Sequence, residues 1–423
     1  MFETEVRETR LDNGLRVVTE HVPHVHSVSL GIRIDAGSRD EPEELAGISH
    51  VLEHMLFKGT ETRTARDIAE EMDAVGGQMD AFTSKEYTGY GARVLPEHLP
   101  LATDVLADML RHSLLDNKEL ELEKSVILEE CRSVEDSPEE HVHDLFSRTM
   151  WPQHPLGRQV IGYPEVISRL TRDDLLDYLA TYYVPERMIV VAAGRLDHDA
   201  LVAEIKRHFG DLTGAAPARE LRPVVHHFEE ARLSRPLEQS HFSMGSEGIP
   251  ECDPDRWAAR VLSLMLGGGM SSRLFQEIRE KRGLCYSIGT EMVSYREGGM
   301  FVVYADTNPL QLDEVRDLCR QELRNVAEHG ITEDELQRAK NQVRAGTLLS
   351  LDDTGSRMNR LARSLLFHGR VIPLQELVDY VEAVTTDDCL RVCKRMFGKD
   401  EFAFAAIGPF PKKRASRAKK VVA

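Results

Sequence analysis

The stretch LTRDDLLDYLATYYVPERMIVVAAG (170–194) returns, altered but unbroken, as VTTDDCLRVCKRMFGKDEFAFAAIG (384–408). Thr171 and Thr385 lie 214 positions apart, as do Gly194 and Gly408, so the two stretches align without a gap. Each reads as an amphipathic helix opened by Thr with acids in its first turn, followed by a strand of consecutive apolar residues closed by Gly. Two more pairs flank them: ELELEK (119–124) with ELQRAK (335–340), offset 216, and VLEHML (51–56) with VLSLML (261–266), offset 210. Offsets this similar differ only by small loop changes and describe a duplicated domain. The sequence therefore predicts an α+β protein of two homologous domains, each a mostly antiparallel sheet packed with helices. The first spans 1–212, a linker rich in Ala, Pro and Gly around TGAAPARELRP covers 213–225, the second spans 226–410, and a basic tail follows over 411–423. Strands LRVVTEHV and HSVSLGIRIDAG are expected to open the first domain as a hairpin-like pair.

A length of 423 residues agrees with two domains. Hydrophobic residues at 41% and charged residues at 29% fit a soluble globular chain, and no apolar run approaches the roughly 20 residues needed to span a bilayer. The acidic start MFETEVRETR lacks the basic and apolar regions of a signal peptide. Six scattered cysteines without a CxxC read as free thiols in a reducing compartment, so a cytoplasmic protein is expected. A net charge of −18 opposes nucleic-acid binding and suits either basic peptides or simple solubility. The tail PKKRASRAKK (411–420) runs the other way with six basic residues and reads as a disordered end.

Within the first copy, GISHVLEHMLFKGT (47–60) carries two histidines and a glutamate in five residues. On a helix, His50, Glu53 and His54 share one face while Val51 and Leu52 turn to the core. Two imidazoles one turn apart can bite one metal ion, and a neighbouring carboxylate can act on water without ligating. The order is the inverse of HExxH, the inverzincin pattern. In the second copy the same positions are Arg260, Ser263 and Leu264, while the surrounding Val, Leu and Met persist. The apolar frame is what the fold requires, so the polar trio has a role of its own in the first half. A catalytic zinc needs a third protein ligand and an open position. The helical stretch ELEKSVILEECRSVED offers Glu123 and Glu130, seven residues and about two turns apart on one face. Their counterparts at offset 216 are Ala339 and Gly346, so all five polar positions are lost together. Glu129 faces elsewhere, as a solvated acid.

HVLEH, the downstream EKSVILEE and the second-half REKRGLCY (279–286) together resemble the pitrilysin-type zinc metallopeptidases, and among them the shorter branch related to the mitochondrial processing peptidase. The resemblance covers nearly the whole chain. It implies His50, His54 and Glu130 as ligands of one Zn2+ per chain, Glu53 as general base, and Glu123 as a carboxylate steadying a ligand. It implies that Arg279 and Tyr286, seven apart, reach from the second domain toward the substrate, where charge and hydroxyl suit an oxyanion. GGQMDAFTSKEYTGYGARV (76–94) resembles the family's active-site edge strand, on which a peptide adds as a further strand. Ala81 and Phe82 are then substrate-binding, with Phe82 either lining a side-chain pocket beside Phe57 or packing in the core. LGGGMSSRLF (266–275) lacks the GKS or GKT ending of a phosphate loop, and the resemblance makes it a peptide contact.

The expected activity is endopeptidase hydrolysis of peptides or unfolded, presequence-like polypeptides inside an enclosed chamber, by a homodimer without nucleic-acid or membrane partners. Two rival readings remain at this level. One is a non-catalytic partner subunit of the kind found in the respiratory cytochrome complex, which generally lacks the ligands present here. The other is a peptide-binding module whose zinc is only structural.

Overall fold

A computed structural model of the chain describes residues 4–411, so the basic tail beyond residue 411 lies outside the described residues. The described residues form eleven strands: β1 (Glu5–Arg10), β2 (Arg16–His21), β3 (Val28–Ile34), β4 (Gln78–Thr83), β5 (Thr88–Val94), β6 (Met188–Gly194), β7 (Glu230–Ser234), β8 (Ser240–Glu247), β9 (Cys285–Ser294), β10 (Gly299–Thr307) and β11 (Ala403–Gly408). They make two sheets, ordered β1-β2-β6-β3-β5-β4 and β7-β11-β8-β10-β9. The duplicated apolar strands β6 and β11 take equivalent central places. Each pairs in parallel with one neighbour, β2 or β7, and antiparallel with the other, β3 or β8. All other pairings are antiparallel. The helices that precede β6 and β11 open with matching capping boxes, in which the Thr171 and Thr385 hydroxyls accept from the amides of Asp174 and Asp388.

One expectation fails. LRVVTEHV and HSVSLGIRIDAG do not form a hairpin, because β6 lies between β2 and β3. Every residue of β6 is buried, and so is every residue of β3. A strand with no solvated face is most stable inside a sheet, so β6 enters the gap and leaves the hairpins to β1–β2 and β4–β5.

Each sheet covers one face with helices from its own half. The first core joins Ile32, Val51, Leu52, Met55, Leu106 and Ile127, and the second joins Phe242, Leu262, Phe301, Leu323 and Phe397. The opposite faces are covered by exchange. Helix Pro138–Met150 of the first half lies on β8 and β11 of the second, burying Val142, Phe146 and Met150 against Val302, Ala405 and Ile407. Helix Thr354–His368 of the second half lies on β2, β3 and β6 of the first, burying Met358, Leu361 and Leu365 against Val18, Ile189 and Val191. Pro138 and Thr354 are 216 positions apart, the offset already seen, so the two covering helices are themselves duplicates. Polar contacts fix the second docking. Arg357 and Arg360 both pair with the buried Glu20, at 2.6 and 2.9 Å, and Ser29 bonds Thr354 at 2.8 Å. No helix among the described residues is long and apolar enough to cross a membrane.

Candidate metal centre

Helix Ile48–Leu56 buries Ile48, Val51, Leu52, Met55 and Leu56, which leaves His50, Glu53 and His54 as the stripe facing away from the core. Its start is built tightly. Gly47 has φ 103°, and a Cβ there would sit 2.8 Å from the Cα of Gly162, so only glycine fits. The first turn's free amides are met by Glu41, whose carboxylate accepts from the backbone N–H of Gly47 at 2.8 Å and of Ser49 at 2.9 Å. Glu41 is fully buried, and burial raises its pKa to about 7 against the lowering effect of those amides.

The third candidate ligand comes from helix Asn117–Asp136, capped by Asp116 and packed against the first helix. Glu130 Oε2 lies 3.7 Å from Nε2 of His50 and 3.7 Å from Nε2 of His54. These separations are too long for hydrogen bonds. Donors bound about 2.0–2.2 Å from a tetrahedral ion stand roughly 3.4 Å apart, so the trio fits around one ion. All three ligand atoms lie within 4.8 Å of one another. His50 is held neutral, with its pKa lowered to about 4 by burial and then by His54, so a lone pair is free at neutral pH. His54 is oriented by Glu123, which accepts from Nδ1 at 3.1 Å and leaves Nε2 turned to Glu130. Glu123 is in turn held by Lys58 at 2.7 Å. Glu129, with its side chain 70% exposed, pairs with Arg132 on the outer face.

Glu53 stands on the same stripe as the histidines but outside the converging trio of donors. The Thr83 hydroxyl donates to its Oε2 at 2.6 Å. Burial raises the Glu53 pKa above the usual carboxylate value, the Thr83 bond opposes that, and Glu130 and Asp80 add to it. A partly desolvated carboxylate beside a metal position is a stronger base than an exposed one. Thr83 is the last residue of β4, an edge strand paired only with β5, so its outer backbone groups are open to an added peptide strand.

Alternation along β4 separates the remaining candidates. Ala81 packs on the first core, on the side of Thr83 and Glu53. Phe82 is turned to the opposite face, where it lies under the Arg33 guanidinium at 5.1 Å and edge-on to Tyr87 at 5.6 Å. The expected pocket shared by Phe82 and Phe57 is therefore not formed, because Phe57 packs on the first core. Arg279 and Tyr286 do meet. Arg279 Nε donates to the Tyr286 carbonyl at 2.9 Å, and its guanidinium sits 5.7 Å from the Tyr286 ring. Tyr286 is 80% exposed, and neither residue forms a hydrogen bond or ion pair with His50, Glu53, His54 or Glu130 among the described residues. Three contributors were not singled out from sequence: Glu41, Lys58 and Thr83. None left a readable helical signal: even Lys58, four residues after His54, lies beyond the helix, which ends at Leu56.

The described geometry agrees with comparisons to known proteins. Residues 16–163 match the family described as insulinase (peptidase family M16), and residues 169–343 match the peptidase M16 inactive domain. A Streptomyces coelicolor protein named an uncharacterized zinc protease is 43% identical over 99% of this chain and 93% of its own. A Bacillus subtilis protein of the same description is 39% identical over 96% of this chain and 98% of its own. A crystal structure of a peptidase M16 inactive domain from Pseudomonas fluorescens shares the fold with a TM-score of 0.90, at 18% identity, over 97% of this chain and 99% of that one. With an inverted His-x-x-Glu-His helix, a converging glutamate and both halves of the profile matched, the chain belongs to the insulinase family, peptidase family M16, and is a metallopeptidase.

Proposed function

We propose that the protein is a zinc-dependent endopeptidase that cleaves peptides or unfolded polypeptides within an enclosed chamber. The observation carrying this reading is the convergence of the His50, His54 and Glu130 donors beside a Glu53 carboxylate that stands outside the trio and accepts from Thr83. The donor set of two imidazoles and one carboxylate suits zinc, and a zinc ion held there would acidify water and polarise a carbonyl. Glu53 takes the proton of the attacking water and passes it to the leaving amine. Thr83 keeps its Oε2 aimed at the site, while Glu123 fixes the His54 ring. The substrate lies as an added strand along β4, past Ala81, with little demand on sequence. Arg279, whose Nε donates to the Tyr286 carbonyl, and the Tyr286 hydroxyl offer a charge and a donor that serve the oxyanion. A homodimer forming the chamber belongs to the same proposal, and the six free thiols support a cytoplasmic setting.

Zinc per chain, measured by elemental analysis, is expected to be one. Cleavage of a quenched peptide is expected to be lost with chelator and to fall about 10²–10⁴-fold in Glu53→Gln with zinc retained. Undiminished cleavage by Glu53→Gln removes the proton-transfer role. Light scattering tests the chamber: a dimer supports it, and a fully active monomer removes it.

A further inference from the structure

A cavity of about 800 Å³ lies between the halves, at the position that the duplication makes equivalent to the metal centre. Its wall includes Arg260 in the place of His50, Ser263 in the place of Glu53, Leu264 in the place of His54 and Gly346 in the place of Glu130. The local framework persists. Thr290 of edge strand β9 bonds the Ser263 hydroxyl at 3.2 Å and its carbonyl at 2.6 Å, as Thr83 of edge strand β4 bonds Glu53. Ligand chemistry has been replaced by positive charge. Gly346 leaves open space where a side chain would begin, with nothing within 4 Å of its virtual Cβ.

The charge around this cavity is not balanced. Arg363 is held by Glu251 at 2.6 Å and Arg360 by Glu20 at 2.9 Å. Arg33, Arg256 and Arg260 also line the wall, and none of them forms an ion pair among the described residues. Arg33 is 3% exposed, its Nη2 is met only by the neutral Asn359 amide at 2.8 Å, and its Nε has no partner. Arg256 lies over the rings of Trp257 and Tyr380. Burial pulls the Arg33 pKa down to about 10, and burial with the like charge of Arg363 lowers that of Arg260. The unpaired Arg33 guanidinium, buried in the wall, is costly unless an anion joins it, while Arg260 stands exposed and open to a ligand. The chain as a whole carries −18, so this positive interior is local and set against the sign of the remainder.

We propose that the vestigial metal site is a carboxylate-binding pocket for the substrate, centred on Arg260 with Arg33 and Arg256. It extends the peptidase reading above and selects acidic peptides. Phe82 of β4 lines the same cavity, so a chain laid on the edge strand at the metal has a direct route into it. The carboxylate has two sources in a peptide, acidic side chains or the chain terminus, and guanidinium forks receive either in bidentate fashion.

The test measures binding without turnover, so its failure is separate from failure of the peptidase reading. The zinc-loaded Glu53→Gln chain is titrated calorimetrically with amidated triglutamate, free-acid triglutamine and amidated triglutamine. Binding of amidated triglutamate identifies the side-chain source, and binding of free-acid triglutamine identifies the terminus. Arg260→Glu is expected to weaken the bound probe at least about tenfold. Gly346→Glu, which offers Arg260 an internal carboxylate, is expected to do the same. Glu129→Gln, on the outer face of its helix and paired only with Arg132, is expected to leave the affinity unchanged. Circular dichroism and thermal midpoints of each variant establish that it is folded. Equal binding of the fully neutral peptide, or an affinity unmoved by both Arg260→Glu and Gly346→Glu, overturns the proposal.

Discussion

Removing the Glu123 carboxylate should loosen the metal without touching a ligand. Glu123 is 6% exposed, bonds Nδ1 of His54 at 3.1 Å and is itself neutralised by Lys58 at 2.7 Å. In Glu123→Ala the His54 ring loses its one side-chain hydrogen bond among the described residues and must be ordered by the metal at the moment of binding. A hydrogen bond to a charged group contributes about 1.5–3 kcal/mol, and the side chain of His54 is 24% exposed, so water recovers part of it. The remainder, about 1.4–2.7 kcal/mol, corresponds to a 10–100-fold loss of zinc affinity. Glu123→Gln keeps an acceptor oxygen for Nδ1–H but no charge, so its loss should be the smaller of the two. Competition against a chromophoric chelator reads both affinities, and turnover at saturating zinc shows whether the defect lies in occupancy alone. Affinities of both variants within twofold of the parent would refute the assigned role, provided their unfolding midpoints are unchanged.

Three further outcomes follow from the packing and electrostatics. Phe146→Ala removes a side chain that is 1% exposed on a first-half helix, yet it should destabilise the second sheet, by about 3–5 kcal/mol. Leu361→Ala should damage the first sheet in the reciprocal way, by about 2–5 kcal/mol, and denaturant titration should still show both halves unfolding in one transition. For Glu41, the folded pKa is raised to about 7 from 4.5, so between these values the unfolded chain has released a proton that the folded chain retains. Its contribution is therefore complete below pH 4.5 and falls as pH rises to 7, by about 3 kcal/mol in total, a slope that Glu41→Gln should abolish in urea melts across that range.

The duplication was legible because β6 and β11 are central strands, whose buried faces hold their apolar residues in register across both copies. The metal centre was legible for a different reason. Its candidate ligands sit on two regular helices, where spacing alone decides which side chains share a face. What escaped was partner choice. The apolar stripe of Pro138–Met150 reports that the helix is covered, and nothing in its period says that the covering sheet belongs to the other half. Phe82 shows the same limit on a smaller scale: alternation separates it from Ala81 and Thr83, but only the fold reveals that its face meets Arg33 rather than the metal. Glu41 was illegible because its two backbone partners come from the start of a helix whose sharp entry depends on Gly47 and Gly162 meeting in space.

The reciprocal docking of the covering helices bears on how the protein is made. During synthesis, β2, β3 and β6 can assemble as soon as Gly194 leaves the ribosome, but the helix that shields Val18, Ile189 and Val191 ends only at His368. At about 5–20 residues per second, that apolar surface stays bare for roughly 10 to 35 seconds. The nascent first half thus emerges as a ready client for a chaperone, and early termination anywhere before the second helix leaves a fragment prone to aggregate.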